Sequence, residues 1–254
     1  MDLFFRDGMV PKVHALVALI IMTFGGVVLL ALASIIIGVA RFSEIFVLGA
    51  FLAYGPATAI IVVRITAYHP YAKFGLANVI TLGRLIIACL LAGLVAEIIF
   101  GEISITPFVA WCFFILAIVG LVFDGLDGAV ARRKGLVSRF GARFDMEVDA
   151  LQILLLSVIG LALLKAGAWI LIIGLLRYIY IVASVLWPAL AGDLPPSWRR
   201  KTIAAIQGGV LAALLAPIIT PPISILAAGF ALSLLIYSFA ADIIWLVRSP
   251  RKSQ

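Results

Sequence analysis

Five of the twelve acidic residues fall in one short stretch: Asp124, Asp127, Asp145, Glu147 and Asp149. Asp124 closes a 21-residue run without charge that begins at Ile103, and Asp149 stands just before another run that starts at Ala150. Carboxylates at the ends of such runs sit where ionisation is costly, and that position points to a ligand, a metal or a proton path. Asp124 and Asp127 are spaced i, i+3 and Asp145 and Asp149 i, i+4, so on helices each pair projects from one face, with Glu147 pointing elsewhere. Four carboxylates converging on one spot would repel each other and drift toward protonation unless cations occupied the spot. Oxygen ligands without His or Cys favour Mg²⁺, Mn²⁺ or Ca²⁺ over Zn²⁺. Residue types suited to phosphate stand beside the acids. Gly125, Gly128 and Gly141 let a ligand approach the backbone closely, and Arg132, Arg133, Lys134, Arg139 and Arg143 can grip diphosphate oxygens.

The elements that must position these groups follow from composition. Of 254 residues 65% are apolar and 12% charged, with a mean hydropathy of +1.26, whereas soluble domains are about a quarter charged. A soluble globular protein is therefore excluded, and two Cys exclude a disulfide framework. Cys89 and Cys112 both lie in apolar runs and read as core thiols. A helix crossing the bilayer needs roughly 20 mostly apolar residues. Charge-poor runs of that kind extend from Val13 to Ala40, Ile45 to Val63, Asn78 to just before Glu97, and Ile103 to Phe123. Further runs extend from Ala150 to Lys165, from Lys165 to Asp193, and from Thr202 to Ala241. The last run is about two membranes long, and Pro217, Pro221 and Pro222 mark a turn in its middle. The count is eight helices in an all-α, polytopic membrane bundle. Ala31-Leu32-Ala33 resembles a signal-cleavage tripeptide, but the apolar run continues past it through Ile37. The aromatic and basic stretch Thr66 to Gly75 reads as an interfacial segment or a linker.

Scoring alternate connections by sign tests that count. One side holds Arg6 and Lys12, Arg64 and Lys73, the five basic residues from Arg132 to Arg143, the Arg199-Arg200-Lys201 run, and Arg248, Arg251 and Lys252; the other holds Arg41 and Lys165. A bias of 15 to 2 places both termini and the acidic stretch on the cytoplasmic side. Topology alone would also put several cations beside the acids. The formal charge of +7 is accounted for by this asymmetry, and no nucleic-acid partner is called for.

Asp124-Gly-Leu-Asp127-Gly128-Ala-Val-Ala131-Arg132, with eight residues to Gly141, three to Asp145 and three to Asp149, reads D-x2-D-G-x2-A-R-x8-G-x3-D-x3-D. It resembles the signature of the CDP-alcohol phosphotransferase (CDP-alcohol phosphatidyltransferase) family at every defined position. A second patch, Asn78-x2-Thr81-x2-Arg84, is similar to a segment many members carry on their first core helix, with Ala77 where Pro is common. The resemblance implies a six-helix catalytic core within residues 67–254, interfacial segment included, and an extra pair of membrane helices within residues 1–66. That pair is a candidate surface for a homodimer.

The resemblance further implies transfer of a substituted phosphate from a CDP-linked lipid, CDP-diacylglycerol, to an alcohol hydroxyl, with release of CMP. Asp124, Asp127 and Asp145 then look like ligands of a two-metal site for Mg²⁺ or Mn²⁺, with Asp149 contributing to it and serving as general base. By the same matching Gly128 and Arg132 hold the CDP moiety, Asn78 and Thr81 line its nucleotide side, and Gly141 passes beneath it. Helix capping is the other use for Asn78 and Thr81. Arg84, one turn deeper, is expected to meet a polar partner instead of lipid. Arg177, with Arg200 and Lys201, could line a pocket for a phosphorylated acceptor such as glycerol 3-phosphate, or the basic run at 199–201 could snorkel to lipid phosphates. A transporter or proton-coupled channel would also carry intramembrane acids, but it favours internal repeats with midplane sites. An inactive scaffold would show a motif substitution, and none is present.

Overall fold

A computed structural model describes the backbone at residues 10–68, 76–101, 105–134, 139–192 and 194–248, and side chains at 16–63, 78–101, 105–125, 141–190, 192 and 194–248. Among the described residues the regular elements are all helical. They are α1 (Val10–Ala40), α2 (Glu44–Tyr68), α3 (Leu76–Phe100), α4 (Pro107–Lys134), α5 (Arg139–Ala162), α6 (Leu171–Leu186), α7 (Trp198–Ala213) and α8 (Ile223–Arg248), with short 3-10 turns at Ala168–Ile170 and Pro188–Ala191. Of the interfacial segment expected at 66–75, residues 66–68 form the end of α2 and 69–75 lie outside the described residues.

Six of the eight helices are long and apolar enough to cross a membrane: Leu16–Ala40, Glu44–Val63, Asn78–Phe100, Pro107–Gly125, Ala168–Leu186 and Ile223–Arg248. The protein is an integral, multi-pass membrane protein. The remaining two differ from the others for physical reasons. The first half of α5 carries Arg139, Arg143, Asp145, Glu147 and Asp149. At 16 residues, α7 spans only about 24 Å at 1.5 Å per residue, less than the roughly 30 Å of a hydrocarbon core.

Helix ends follow from local chemistry. Thr106 caps α4, its Oγ1 accepting from Val109 N–H at 3.4 Å, and Pro107 takes the first position, where no N–H is needed. Ser43 caps α2 in the same way through Ile45 N–H at 3.2 Å. The end of α5 is a Schellman closure in which Lys165 N–H donates to Gly160 O at 2.9 Å and Leu164 N–H to Leu161 O at 2.9 Å. The left-handed position in that closure is held by Leu164, at φ 55°, rather than by glycine.

The chain forms two compact units that divide between Leu155 and Leu156. In the first, α3 is the central helix: 67% of its membrane-length stretch is buried, against 17–28% in the other five. It packs against α2, α4 and α1. The α2–α3 crossing is close because both helices present glycine there. A Cβ on Gly93 would lie 2.6 Å from Phe46 O, and one on Gly49 would lie 2.4 Å from Ala96 Cβ. Such small-residue approaches drive helix association in a bilayer, where burial of apolar surface gives little. Near that crossing the fully buried Glu97 of α3 accepts from Ser43 N–H at 3.0 Å and from Ser43 Oγ–H at 2.9 Å. Phe42, Phe46 and Phe113 pack as a ring cluster with centroids 5.3–6.3 Å apart. Cys89 is buried as expected, but Cys112 is exposed on α4 and is no core thiol.

In the second unit α7 and α8 pack together across the proline-marked turn. Lys165 reaches into that turn, where its Nζ donates to Ala216 O at 3.1 Å and Ile219 O at 2.6 Å. Ser224 Oγ–H returns a bond to Lys165 O at 2.5 Å. Arg199 and Arg200 of α7 both hold Asp242 of α8, at 2.5 and 3.1 Å.

Candidate active site

The described candidates for metal and nucleotide binding belong to the first unit, and three helices bring them together. Asn78, Thr81 and Arg84 recur every third residue along the first turns of α3, and all three are buried. Since α3 begins at Leu76, Asn78 and Thr81 lie inside the helix and neither is its N-cap. Side chains on a helix lean toward its N-terminus. The guanidinium of Arg84 is thereby carried back toward the end of α3 where Asn78 stands.

There it meets the acids. Arg84 Nη2 pairs with Asp124 Oδ1 of α4 at 3.1 Å, and the two terminal nitrogens also bond Asp145 and Asp149 of α5, Nη1 to the former and Nη2 to the latter. The i, i+4 spacing of Asp145 and Asp149 thus gives one face, as the sequence predicts, and a single guanidinium spans both. Arg84 is 0% exposed, while the carboxylates are 43%, 35% and 43% exposed for Asp124, Asp145 and Asp149. The cluster therefore has a sealed cationic floor and an open acidic rim. Glu147, between the two α5 acids, is exposed.

Three carboxylates outnumber the one guanidinium they face, and carboxylates held this close repel one another unless a cation sits among them. One oxygen from each of Asp124, Asp145 and Asp149 lies within 4.8 Å of the others. A hard divalent cation bonds oxygen at about 2.0 to 2.6 Å, so opposed ligands sit about 4 to 5 Å apart. The donor set and its spacing both fit such an ion. Asp127, Gly128 and Arg132 belong to the backbone of α4, but their side chains fall outside the described residues. Gly141 lies one turn before Asp145 on α5.

Sequence reasoning gave Arg84 a polar partner without naming it; the structure makes it the residue on which the acids converge. It missed Gln152, three residues past Asp149. The Gln152 amide is buried and donates to Ala117 O of α4 at 3.3 Å, against Gly120, where a Cβ would lie 2.8 Å from its nitrogen. Gln152 so fixes α5 to α4 just beneath the carboxylates, and an amide within an apolar stretch was the signal for it. Among the acceptor-pocket residues, all in the second unit, Arg177 is half-buried on α6. The Arg200 guanidinium is engaged by Asp242 Oδ1 and by Pro195 O. Lys201 is exposed and lies 5.5 Å over the Trp198 ring.

Among known proteins, residues 74–240 match the family model described as CDP-alcohol phosphatidyltransferase. No curated protein and no solved structure matches the chain.

Proposed function

The chain belongs to the CDP-alcohol phosphatidyltransferase family, which moves a phosphatidyl group from a CDP-alcohol to another alcohol, and from this premise we propose that it uses CDP-diacylglycerol as donor and a small alcohol as acceptor, releasing CMP. The convergence of Asp124, Asp145 and Asp149 on Arg84, next to the buried Asn78 and Thr81, carries the reading.

In this reaction the acceptor oxygen forms a bond to the lipid-bearing phosphorus, and the bond from that phosphorus to the CMP oxygen breaks. Asp149 takes the acceptor's proton, a role its partly exposed carboxylate permits once the hydroxyl is within hydrogen-bond reach. A divalent cation, Mg²⁺ or Mn²⁺, held by Asp124, Asp145 and Asp149 together with Asp127, would supply neutralisation of the diphosphate and of the charge growing on the leaving CMP. Asn78 and Thr81 offer an amide and a hydroxyl to the nucleotide. Gly128 and Gly141 admit it close to the backbone, and the planar fork of Arg132 suits diphosphate oxygens. Arg177, Arg200 and Lys201 remain our assignment for an acceptor phosphate, glycerol 3-phosphate being the acceptor of that chemistry. The 15 to 2 charge bias supports an active site and termini on the cytoplasmic side. We place catalysis in residues 67–254 and treat 1–66 as an added helix pair.

The test is CMP release from CDP-diacylglycerol by the purified protein in lipid nanodiscs, with Mg²⁺ or Mn²⁺ and a panel of alcohols. The panel holds glycerol 3-phosphate, serine, inositol, inositol phosphate and phosphatidylglycerol. Release that requires one of these alcohols and stops on chelation is expected. Failure with every acceptor and both ions would refute the reading.

A further inference from the structure

We propose that Arg84 is a resident counter-cation: it holds Asp124, Asp145 and Asp149 together while the site lacks metal, and it yields those carboxylates when a divalent cation enters. The inference rests on the metal-site reading above and goes beyond it by assigning the residue that sets the affinity of the site. Three observations carry it. The carboxylates that cluster closely enough for one ion are the same three that Arg84 engages. They come from two helices, α4 and α5, so without a bridge their repulsion would push those helices apart. The guanidinium is fully buried whereas the acids are open, so an ion approaches from the rim and finds the floor already occupied by positive charge.

A guanidinium cannot discharge itself at any physiological pH. Arg84 therefore opposes metal entry by charge repulsion at all times, and metal binding is weaker than three carboxylates alone would give. The arrangement stabilises the metal-free fold at the expense of metal affinity. Arg84 is a positioning residue in this scheme, acting through the acids.

The test measures two quantities on the full chain in nanodiscs: thermal unfolding in EDTA, and Mn²⁺ affinity by electron paramagnetic resonance. Replacing Arg84→Gln, or Arg84→Met as an apolar substitute of similar length, should lower the unfolding temperature in EDTA. The same change should tighten Mn²⁺ binding by at least about tenfold, a floor set well below the roughly 10³-fold per unit of ion charge that a charge about 4 Å away gives at an effective dielectric of about 20, since solvent at the open rim screens part of it. Loss of a merely structural arginine would weaken Mn²⁺ binding or leave it alone. Either variant folding only when Mn²⁺ is present also supports the proposal. A folded variant that binds Mn²⁺ no tighter than the parent overturns it. Should neither variant accumulate, Arg84→Lys decides: the ammonium keeps the charge but reaches fewer carboxylates, so a lower unfolding temperature in EDTA with Mn²⁺ affinity close to the parent's is expected, while an unchanged unfolding temperature or weaker Mn²⁺ binding overturns the proposal. Asp145→Asn separates this from failure of the metal reading. If the parent binds no Mn²⁺, the metal reading falls; if the parent binds it, Asp145→Asn weakens it and loss of Arg84 gives no gain, the counter-cation idea alone falls.

Discussion

Replacing Asp149 by Asn keeps the size of the side chain and removes both its charge and its capacity to take a proton. The effect on stability is worked from its partner. Asp149 accepts a charge-assisted bond from Arg84, worth about 1.5 to 3 kcal/mol, and the Asn carbonyl still accepts one worth about 1 kcal/mol. The change also relieves repulsion by taking one negative charge from three clustered carboxylates. The net loss of stability should stay within about 1 kcal/mol. Loss of the base alone should slow CMP release by at least about 10², or about 2.7 kcal/mol of barrier, and since Asp149 also helps hold the metal, raising the metal concentration should restore metal occupancy but leave that loss of turnover in place. Asp145→Asn is the control, because a weakened ligand is partly rescued by more metal while a missing base is not. The assay is CMP release at saturating donor, with thermal unfolding on the same samples. Turnover of Asp149→Asn within tenfold of the parent, in a protein that unfolds at nearly the same temperature, would refute the assignment of the base.

Three further outcomes are expected. Leu164→Gly should stabilise the second unit by about 0.5 to 1 kcal/mol, because Leu164 closes α5 at φ 55° and is 79% exposed, so little packing is lost; a lower unfolding temperature would contradict the closure. Gly93→Val should cost about 1 to 3 kcal/mol by forcing atoms against Phe46 O, with Phe46→Ala unable to rescue it since the obstacle is backbone; a thermally neutral Gly93→Val would mean α2 and α3 are not so close. A cysteine replacing the exposed Lys201 should react with a membrane-impermeant thiol reagent only after cells are opened, and labelling of intact cells would reverse the topology.

Much of the architecture can be read in the sequence because a bilayer imposes a length and a charge rule on each segment separately. The six membrane-length helices, the turn at Pro217 to Pro222 and the shared face of Asp145 and Asp149 are all local properties of that kind; α5 and α7, expected to cross as well, are helical but too charged and too short respectively. What the sequence could not supply is pairing between distant segments. Arg84 and Asp149 are 65 positions apart, and nothing in the spacing of either says that one guanidinium will serve acids from two helices. The link from Gln152 to Ala117, and the engagement of Arg200 by Asp242, are hidden for the same reason. Composition misjudged Cys112, since an apolar run facing lipid looks the same as one facing protein. For Asp127, Gly128 and Arg132 the family pattern remains the guide, because their side chains are outside the described residues.

The contact between Glu97 and Ser43 ties the fate of α3 to that of α2. A carboxylate in an apolar helix is a liability unless something solvates it, and here the solvation comes from the first turn of α2. Without α1 and α2 both that acid and the Gly93 groove would face hydrocarbon. Position 97 and α2 are therefore interdependent: deleting residues 1–66 should yield a misfolded remnant unless Glu97 is made apolar in the same step. The same helix that holds α2 carries Asn78, Thr81 and Arg84, so a change that loosens α2 reaches Asp124, Asp145 and Asp149 through Arg84 without touching any of them.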